Sequence, residues 1–341
     1  MTAKPSDPPA NIRAAKKRHH FVPVTYLDGF TAKDGRLQVY MCDRPGQPLS
    51  LAPENIAYRN YYYSQPTPAG GRNSDLIEDL FDREVETHWP EARAAAREDR
   101  LTPEQWARLY LMLASLRARV PATREMVETA LAAQVRMAHD RLETAGQLPP
   151  MPDILQGDFW DNVQLSIDPH QSIHAMPQIL ESVNWVQQAV GFEILHNRTE
   201  RPFITSDNPV AWYDPTVPEA RRRPYRVDRA TMRAELIFPI DAWTMLRGAN
   251  SLRRRQAAGP PLARDVTNEA VVRRLNRVTA QYAYRLAFGR DQSSERVIRH
   301  FAAISPVLRS TSHPVAKGVI LSMDMVWGPR PSLPKWRLDA K

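Results

Sequence analysis

The sequence predicts an α+β fold, rich in helix, with small antiparallel strands and hairpins kept apart from the helices. Three observations carry that prediction. Stretches with helical spacing and stretches with strict alternation come in separate blocks, not in a regular β-α-β succession, which argues against a doubly wound parallel sheet. The chain has 341 residues, 43% of them hydrophobic and 25% charged, enough to bury a sizeable core. No internal repeat at solenoid periods is present.

Residues 1–17 mix Pro, Ser, Asp, Ala and Lys without periodicity and read as a flexible basic arm. Order is expected over 18–327 as one large domain. Its halves would be 18–145 and 160–327, joined by a Pro/Gly linker, with a basic tail over 328–341. Residues 36–41 alternate polar and apolar after a Lys33-Asp34-Gly35 turn, so a strand in a hairpin or small sheet is expected. From Ser74 the period becomes helical. Leu76, Ile77, Leu80, Phe81 and Val85 share one apolar face, and Asp75, Glu78, Asp82 and Glu86 form a solvated acidic stripe. Glu84 falls inside the apolar face, where a carboxylate must be paired, hydrogen-bonded, protonated or bound to a cation.

Thr102-Pro103-Glu104-Gln105 supplies an N-cap, a first-turn proline and a capping-box partner for the next helix. Trp106, Leu109, Tyr110, Leu113 and Leu116 share its apolar face with Arg117, and Pro121 forces it to stop at Val120. A third helix is expected over 123–142 and a fourth over 172–190. Strands at 192–195 and 202–205 flank the polar turn 196–200 and are expected to pair as an antiparallel hairpin. Two further strands, 234–238 and 243–246, are joined by Pro239-Ile240-Asp241. A loop at 248–265 and a helix over 268–288 complete the pattern.

Composition narrows the chemistry. The single cysteine excludes an intramolecular disulfide and a Cys-bound zinc cage and favours a reducing, cytoplasmic setting; Cys42 itself reads as a small apolar filler. No run reaches the ~18 apolar residues of a membrane span, so no membrane partner is expected. With 13 glycines and no Gly-x-Gly-x-x-Gly or P-loop pattern, nicotinamide, flavin and phosphate-cradling loops lose their usual support. Zincin and nucleophile-elbow motifs are missing as well. The net charge is +8, but 39 of the 46 basic residues are arginine, a bias that a GC-rich genome alone produces. Clustering is the better guide. Lys16, Lys17 and Arg18, then Arg221, Arg222 and Arg223, then Arg253, Arg254 and Arg255 form triplets in loop-like surroundings. Such loops could neutralise the phosphates of DNA or RNA.

Two segments, Arg18-His19-His20-Phe21-Val22-Pro23-Val24-Thr25-Tyr26-Leu27-Asp28-Gly29-Phe30 and Pro202-Phe203-Ile204-Thr205-Ser206-Asp207-Asn208-Pro209-Val210, resemble a bacterial family known as domain of unknown function 4238. Its members open with His-x-Val-Pro-x-x-Tyr-Leu-x-x-Phe. Further matching positions are Glu78 and Glu84 in the acidic helix, an Arg-Thr-Pro step that appears here as Arg119-Val120-Pro121, Phe238-Pro239-Ile240, and Asn276. The resemblance covers roughly 18–290 and implies a fold-sized unit with candidate residues, without an activity attached. Val120 replaces the threonine of the family step, which removes a hydroxyl from that position.

The candidate catalytic residues are His20, Glu84, Arg119 and Asp207, drawn from four separate segments. If they converge, Glu84 and Asp207 could hold one hard cation such as Mg²⁺ or Mn²⁺, His20 could serve as acid or base, and Arg119 could clamp a phosphate. Tyr26, Glu78, Ser206, Asn208 and Asn276 would support them. The expected function is a metal-dependent phosphodiesterase or nuclease-like effector acting on nucleic acid. Two alternatives stand beside it: a non-catalytic nucleic-acid-binding or protein-interaction module, and a hydrolase of a small nucleotide or phosphorylated metabolite. In the plainer structural reading His20 braces the first strand, Asp207 bonds turn backbone, and Glu84 pairs with Arg117 or Arg119 to fix helix packing.

Overall fold

The opening motif plugs the N-terminal segment into the second half of the chain. β1 (Arg18–His20) pairs antiparallel with a strand at 58–60, and Phe21 N donates to Ala57 O at 2.9 Å. Pro23 then precedes the one-turn helix α1 (Val24–Leu27), whose Tyr26 is fully buried. Its hydroxyl lies 2.7 Å from Thr205 Oγ1 and donates to Pro239 O, and its ring stacks on Phe238. Gly29 is required by close approach: a Cβ there would lie 2.9 Å from Asp241 Cβ, and Gly29 O accepts from Ala242 N. This computed structural model describes residues 18–66, 72–73, 76–148, 167–228, 230–231, 233–257, 262–315 and 318–330. Lys16, Lys17 and the rest of the expected arm, most of the expected linker and the tail beyond 330 lie outside them.

β2 (Leu37–Met41) and β3 (Leu49–Leu51) form the hairpin that the alternation predicts. β4 (Tyr58–Asn60) is the partner of β1, and β5 (Gln65–Pro66) and β6 (Arg72–Asn73) make a short ribbon. Helix α2 (Leu76–Phe81) runs into a π-helical turn at Asp82–Glu86 and then α3 (Trp89–Arg97). Here the expected wheel holds only in part. Leu76 and Leu80 are 69% and 48% exposed, whereas Glu78 is 9% exposed. Ile77, Phe81 and Val85 still pack against the core, Asp82 stays exposed, and Glu78 joins the inner face because it meets a buried arginine. The π turn adds a residue to the helical repeat, so Glu84 swings to the surface and Glu86 takes the inner side.

α4 (Pro103–Arg119) begins with the complete Thr102–Gln105 capping box and ends at Val120, whose ψ of 151° is extended, as a residue before proline requires. α5 (Pro121–Thr144) follows at once. The single helix expected over 172–190 is instead α6 (Pro169–Ile173) and α7 (Met176–Ala189). Pro177 explains the break: without an N–H it cannot continue a helix from Ile173, but it fits a first turn.

β7 (Gly191–Asn197) is buried along its whole length. The hairpin expected between it and 202–205 does not form; β8 (Thr205–Ser206) joins another sheet. Asn197 closes the turn locally by accepting from Thr199 N and donating to Arg201 O. Asn276 then occupies the next backbone groups, accepting from Ile204 N and donating to Pro202 O, so they are not left for a strand partner. β9 (Ala211–Tyr213), β10 (Glu235–Pro239) and β11 (Thr244–Ala249) follow, the last two paired around the expected Pro239–Asp241 connection. The expected loop at 248–265 holds α8 (Asn250–Ala257) and β12 (Leu262–Val266), so Arg253, Arg254 and Arg255 lie on a helix. The five-stranded sheet has the order β12-β7-β11-β10-β9, with only β12 and β7 parallel. Gly191 lets α8 meet that sheet, since a Cβ there would overlap the Leu252 backbone.

α9 (Glu269–Tyr282), capped by Asn268, is shorter than expected: Ala283 is extended and residues 286–289 become β13 (Leu286–Gly289). β13 lies between β2 and β8 in the sheet β3-β2-β13-β8, so the two halves of the chain share a sheet. α10 (Glu295–Phe301) leads into β14 (Ser305–Val315) and β15 (Gly318–Gly328), a long ribbon the sequence pattern does not announce. One apolar cluster runs from Phe21 and Tyr26 through Trp89 and Leu113 to Ile194, Phe238 and Phe288. The described residues thus form an α+β architecture, and no described helix is long and apolar enough to cross a membrane.

Candidate functional site

Arg119, in the last turn of α4, is fully buried. Its Nη1 donates to Glu86 Oε1 at 2.7 Å and its guanidinium lies 4.7 Å from the Phe81 ring centre. Burial works against the charge, but Glu86, Tyr63 and Glu78 outweigh it and raise the pKa. Two of its nitrogens, Nε and Nη2, have no hydrogen-bond partner among the described residues. His20 belongs to the same cluster, within electrostatic range of both Glu86 and Arg119. Burial lowers its pKa first of all; a hydrogen bond to the Glu54 backbone and the Glu86 charge oppose that, and Arg119 and Arg18 add to it. A neutral imidazole follows at pH near 7. Its ring meets Tyr58 edge-on at 5.5 Å, and its buried Nε2 has no hydrogen-bond partner among the described residues. His19 is a bracing residue: Nδ1 accepts from Tyr63 N at 3.0 Å and the ring stacks on Tyr63.

The structure therefore brings together His20, Arg119 and Glu78, with Glu86 where the sequence pattern placed Glu84. Glu84 is exposed, and the Arg83 guanidinium at 2.7 Å holds its carboxyl below the usual range. Glu86 was legible only as surface, because a straight helix puts it on the solvated stripe and nothing local announces a π turn.

Asp207 is buried, and both of its oxygens are taken. Oδ1 accepts from Tyr284 N and Oδ2 from Arg285 N, each at 2.8 Å, and Asp207 N donates to Leu286 O. Burial outweighs these donors and pushes the carboxyl up to about 6. Its neighbours work alike. Asn208 Nδ2 donates to Tyr282 O, Ser206 Oγ accepts from Asn208 N, and Asn276 holds Pro202 and Ile204 while reaching Ser294 Oγ. The Thr-Ser-Asp-Asn-Pro segment is thus a clasp fastening β8 to β13 and α9. The expected Glu84–Asp207 metal pair finds no support in this geometry, since Glu84 lies at the surface beside Arg83 and Asp207 is buried in the clasp with a backbone N–H on each oxygen. Among the described residues the trio able to share an ion is His139, Asp140 and Glu143, on one face near the end of α5.

A second buried network escaped the pattern. Glu125, in the second turn of α5, accepts from Tyr284 Oη and lies 3.7 Å from Arg59 and 3.5 Å from Arg285. Arg124 donates to Tyr62 O and Ser172 Oγ with its guanidinium over the Tyr62 ring. Pro121 sets the register of these charges, but which of them turn inward depends on Tyr62 and Tyr284, far away in sequence.

Arg18 is exposed, 4.8 Å from the Tyr58 ring centre, and Arg253, Arg254 and Arg255 are exposed on α8. Arg221, Arg222 and Arg223 line a cleft of about 540 Å³ with Arg226. Asp214 and Asp228 line it too, and Asp324 pairs with Arg223 and Arg226. Val227 is shared with an adjoining cleft of about 470 Å³, lined by Trp185, Trp212 and Tyr225. Tyr225 holds a left-handed φ of 58°, a strained conformation for a bulky side chain. It is fixed by Asn208 at its hydroxyl, by the Arg117 guanidinium 4.0 Å from its ring centre, and by edge contacts with Trp212 and Tyr282. The clasp and the clefts are therefore mechanically continuous through Asn208.

No curated protein and no solved structure matches the chain significantly. A family match extends over residues 18–293, from β1 through β13 and including His20, Arg119, Asp207 and Asn276. The chain belongs to the family described as Protein of unknown function (DUF4238).

Proposed function

We propose that this protein binds single-stranded nucleic acid across the two clefts that meet at Val227. The observation that carries the reading is their pairing: four arginines line one side, and two tryptophans and a tyrosine line the other. Proteins that hold single strands combine a positive track for phosphates with aromatic faces for bases. The strain at Tyr225, held from three sides, favours a working surface over an incidental dent. Binding would be salt-dependent through Arg221, Arg222, Arg223 and Arg226, with Trp185 as a stacking face. Fluorescence anisotropy with single- and double-stranded DNA and RNA at several salt concentrations tests this. Replacing Arg221, Arg222 and Arg223 by Ala should flatten the slope of log affinity against log salt by about 2. An unchanged slope removes those arginines from the interface, and no binding to any strand removes the reading.

A second reading, cleavage of a phosphodiester, is favoured by the neutral His20 with its unpartnered Nε2 beside Arg119 and Glu86. It no longer leans on Glu84 and Asp207 for Mg²⁺ or Mn²⁺. The same oligonucleotides incubated with Mg²⁺, Mn²⁺ or EDTA should then yield fragments that His20→Ala abolishes without lowering the melting temperature. Intact strands in every lane leave binding alone.

A further inference from the structure

We infer that the cleft between α9 and α10 is a separate site for a small molecule carrying two or more phosphate groups. Arg273, Arg274 and Arg277 of α9, Arg296 and Arg299 of α10, and Arg201 from the turn after β7 line an open cleft of about 860 Å³. That is the size of a nucleotide-scale ligand site. Arg273 and Arg277 are four residues apart on one helix, and Arg296 and Arg299 are three apart on the other. Like charges at these spacings weaken a helix, and the exposed arginines recover nothing from core packing.

The carboxylates nearby stand outside the cleft. Glu269 pairs with Arg273 at 2.9 Å and approaches Arg201 at 3.6 Å, Glu219 pairs with Arg277 at 3.1 Å, and Glu295 pairs with Arg299 at 3.2 Å. Glu235, 3.5 Å from Arg274, is bonded more closely to Arg247 at 2.8 Å. None of the four lines the cleft, so the lining itself carries no acidic side chain, and its six arginines outnumber the four glutamates that pair with them. Arg201 Nε is buried without a hydrogen-bond partner among the described residues. Forked guanidinium donors from three elements suit phosphate oxygens, which they bind two at a time.

The floor is already rigid. Asn276 donates to Ser294 Oγ, and Arg201 Nη1 donates to Ser293 O. Val297 and Phe301 of α10 and Ala270 of α9 add apolar lining, suited to a ring attached to the phosphates. Glu219, at the border with the Arg221–Arg223 cleft, interrupts the positive surface between the two sites. The inference stands independently of nucleic-acid binding.

Calorimetric titration of the full chain at fixed ionic strength, with tripolyphosphate, orthophosphate and ATP as probes, tests it. Tripolyphosphate should bind at least tenfold more tightly than orthophosphate. Arg277→Ala combined with Arg296→Ala should weaken it tenfold or more with an unchanged melting temperature, and the single Arg296→Gln should give a smaller loss in the same direction. Replacement of Arg221, Arg222 and Arg223 by Ala should leave it intact. Phe301→Ala weakening ATP but not tripolyphosphate would assign the ligand as a nucleotide, and equal effects would assign an inorganic or other polyphosphate. Failure of tripolyphosphate to bind, equal affinity in the Arg277/Arg296 variant, or loss only in the Arg221–Arg223 variant overturns the inference.

Discussion

Arg117, Arg119 and Arg124, around the α4–α5 junction, are almost fully buried, and each guanidinium lies on an aromatic ring: Tyr225 at 4.0 Å, Phe81 at 4.7 Å and Tyr62 at 4.2 Å. Arg273, Arg274 and Arg299 on α9 and α10 are exposed, and the partners they meet are Glu269, the buried Glu235 and Glu295. The same residue type therefore does two jobs. A buried guanidinium must replace its whole hydration shell, so it is surrounded by ring faces, backbone carbonyls and inward carboxylates such as Glu86. An exposed one keeps its water, contributes little to stability, and remains available to an anion. The +8 net charge counts both groups alike, and only the second can speak for a ligand.

The largest test of that contrast is Arg119→Ala. It leaves Glu86 facing a gap beside Glu78 and should cost about 4 kcal/mol by urea denaturation. Arg273→Ala on the exposed side should stay within about 0.5 kcal/mol. Comparable losses at the two positions would erase the distinction between the regions.

Next in size is Asp207, which shares the buried region's logic without an arginine. Asp207→Ala strands the Tyr284 and Arg285 N–H groups and should cost roughly 2–3 kcal/mol. The group also has a pH signature. Its folded pKa of about 6 lies above the ordinary 3.8, so the folded state holds the proton more tightly. The stability it contributes is complete below 3.8 and is lost as pH rises through about 6. The stability difference between wild type and Asp207→Asn should therefore shift against wild type by roughly 3 kcal/mol across that window. A flat difference would mean that the carboxyl is not held in this environment.

Tyr225 lies where the buried region reaches the proposed nucleic-acid surface, and it separates packing from binding. Tyr225→Phe removes the hydroxyl bonded to Asn208 and should cost about 1 kcal/mol. Oligonucleotide affinity should hold in this variant, because the ring and its contacts with Arg117 and Trp212 remain. A collapse of affinity would make the hydroxyl itself part of the binding surface.

How much of this was legible follows the range of each interaction. The start of α4 and its stop at Val120 are local events, written in Thr102, Gln105 and Pro121, and the sequence shows them. The β10–β11 pair, around Pro239–Asp241, is similarly local. The break of the 172–190 helix at Pro177 is a local signal as well, whereas the failures around the candidate site are long-range. β7 and β8 look like a hairpin until Asn276, more than seventy residues away, takes the backbone of 202–204. Glu78 on α2 looks solvated until Arg119 is placed near it. Asp207, Asn208 and Asn276 could be singled out from their motifs, yet whether such groups bind a ligand or buried backbone depends on where residues 282–286 arrive. Residue type narrows the role of a polar side chain, and tertiary partners decide it.

Glu84 gives the smallest expected effect and the sharpest check on the helical correction. A straight α-helix through 82–86 would turn Glu84 inward, and Glu84→Gln would then remove a buried charge with a visible change in stability. With the π turn it lies at the surface beside Arg83. Exposed ion pairs of this kind contribute almost nothing measurable, so Glu84→Gln should leave the denaturation curve unchanged. It should also leave unchanged any response of the protein to Mg²⁺ or Mn²⁺. Glu86→Gln, two residues on, should destabilise the fold clearly, because the Arg119 guanidinium behind it is fully buried and loses its charged acceptor. If the two substitutions exchange their effects, the turn at Asp82–Glu86 is an ordinary α-helix and Glu84 returns to the cluster around His20.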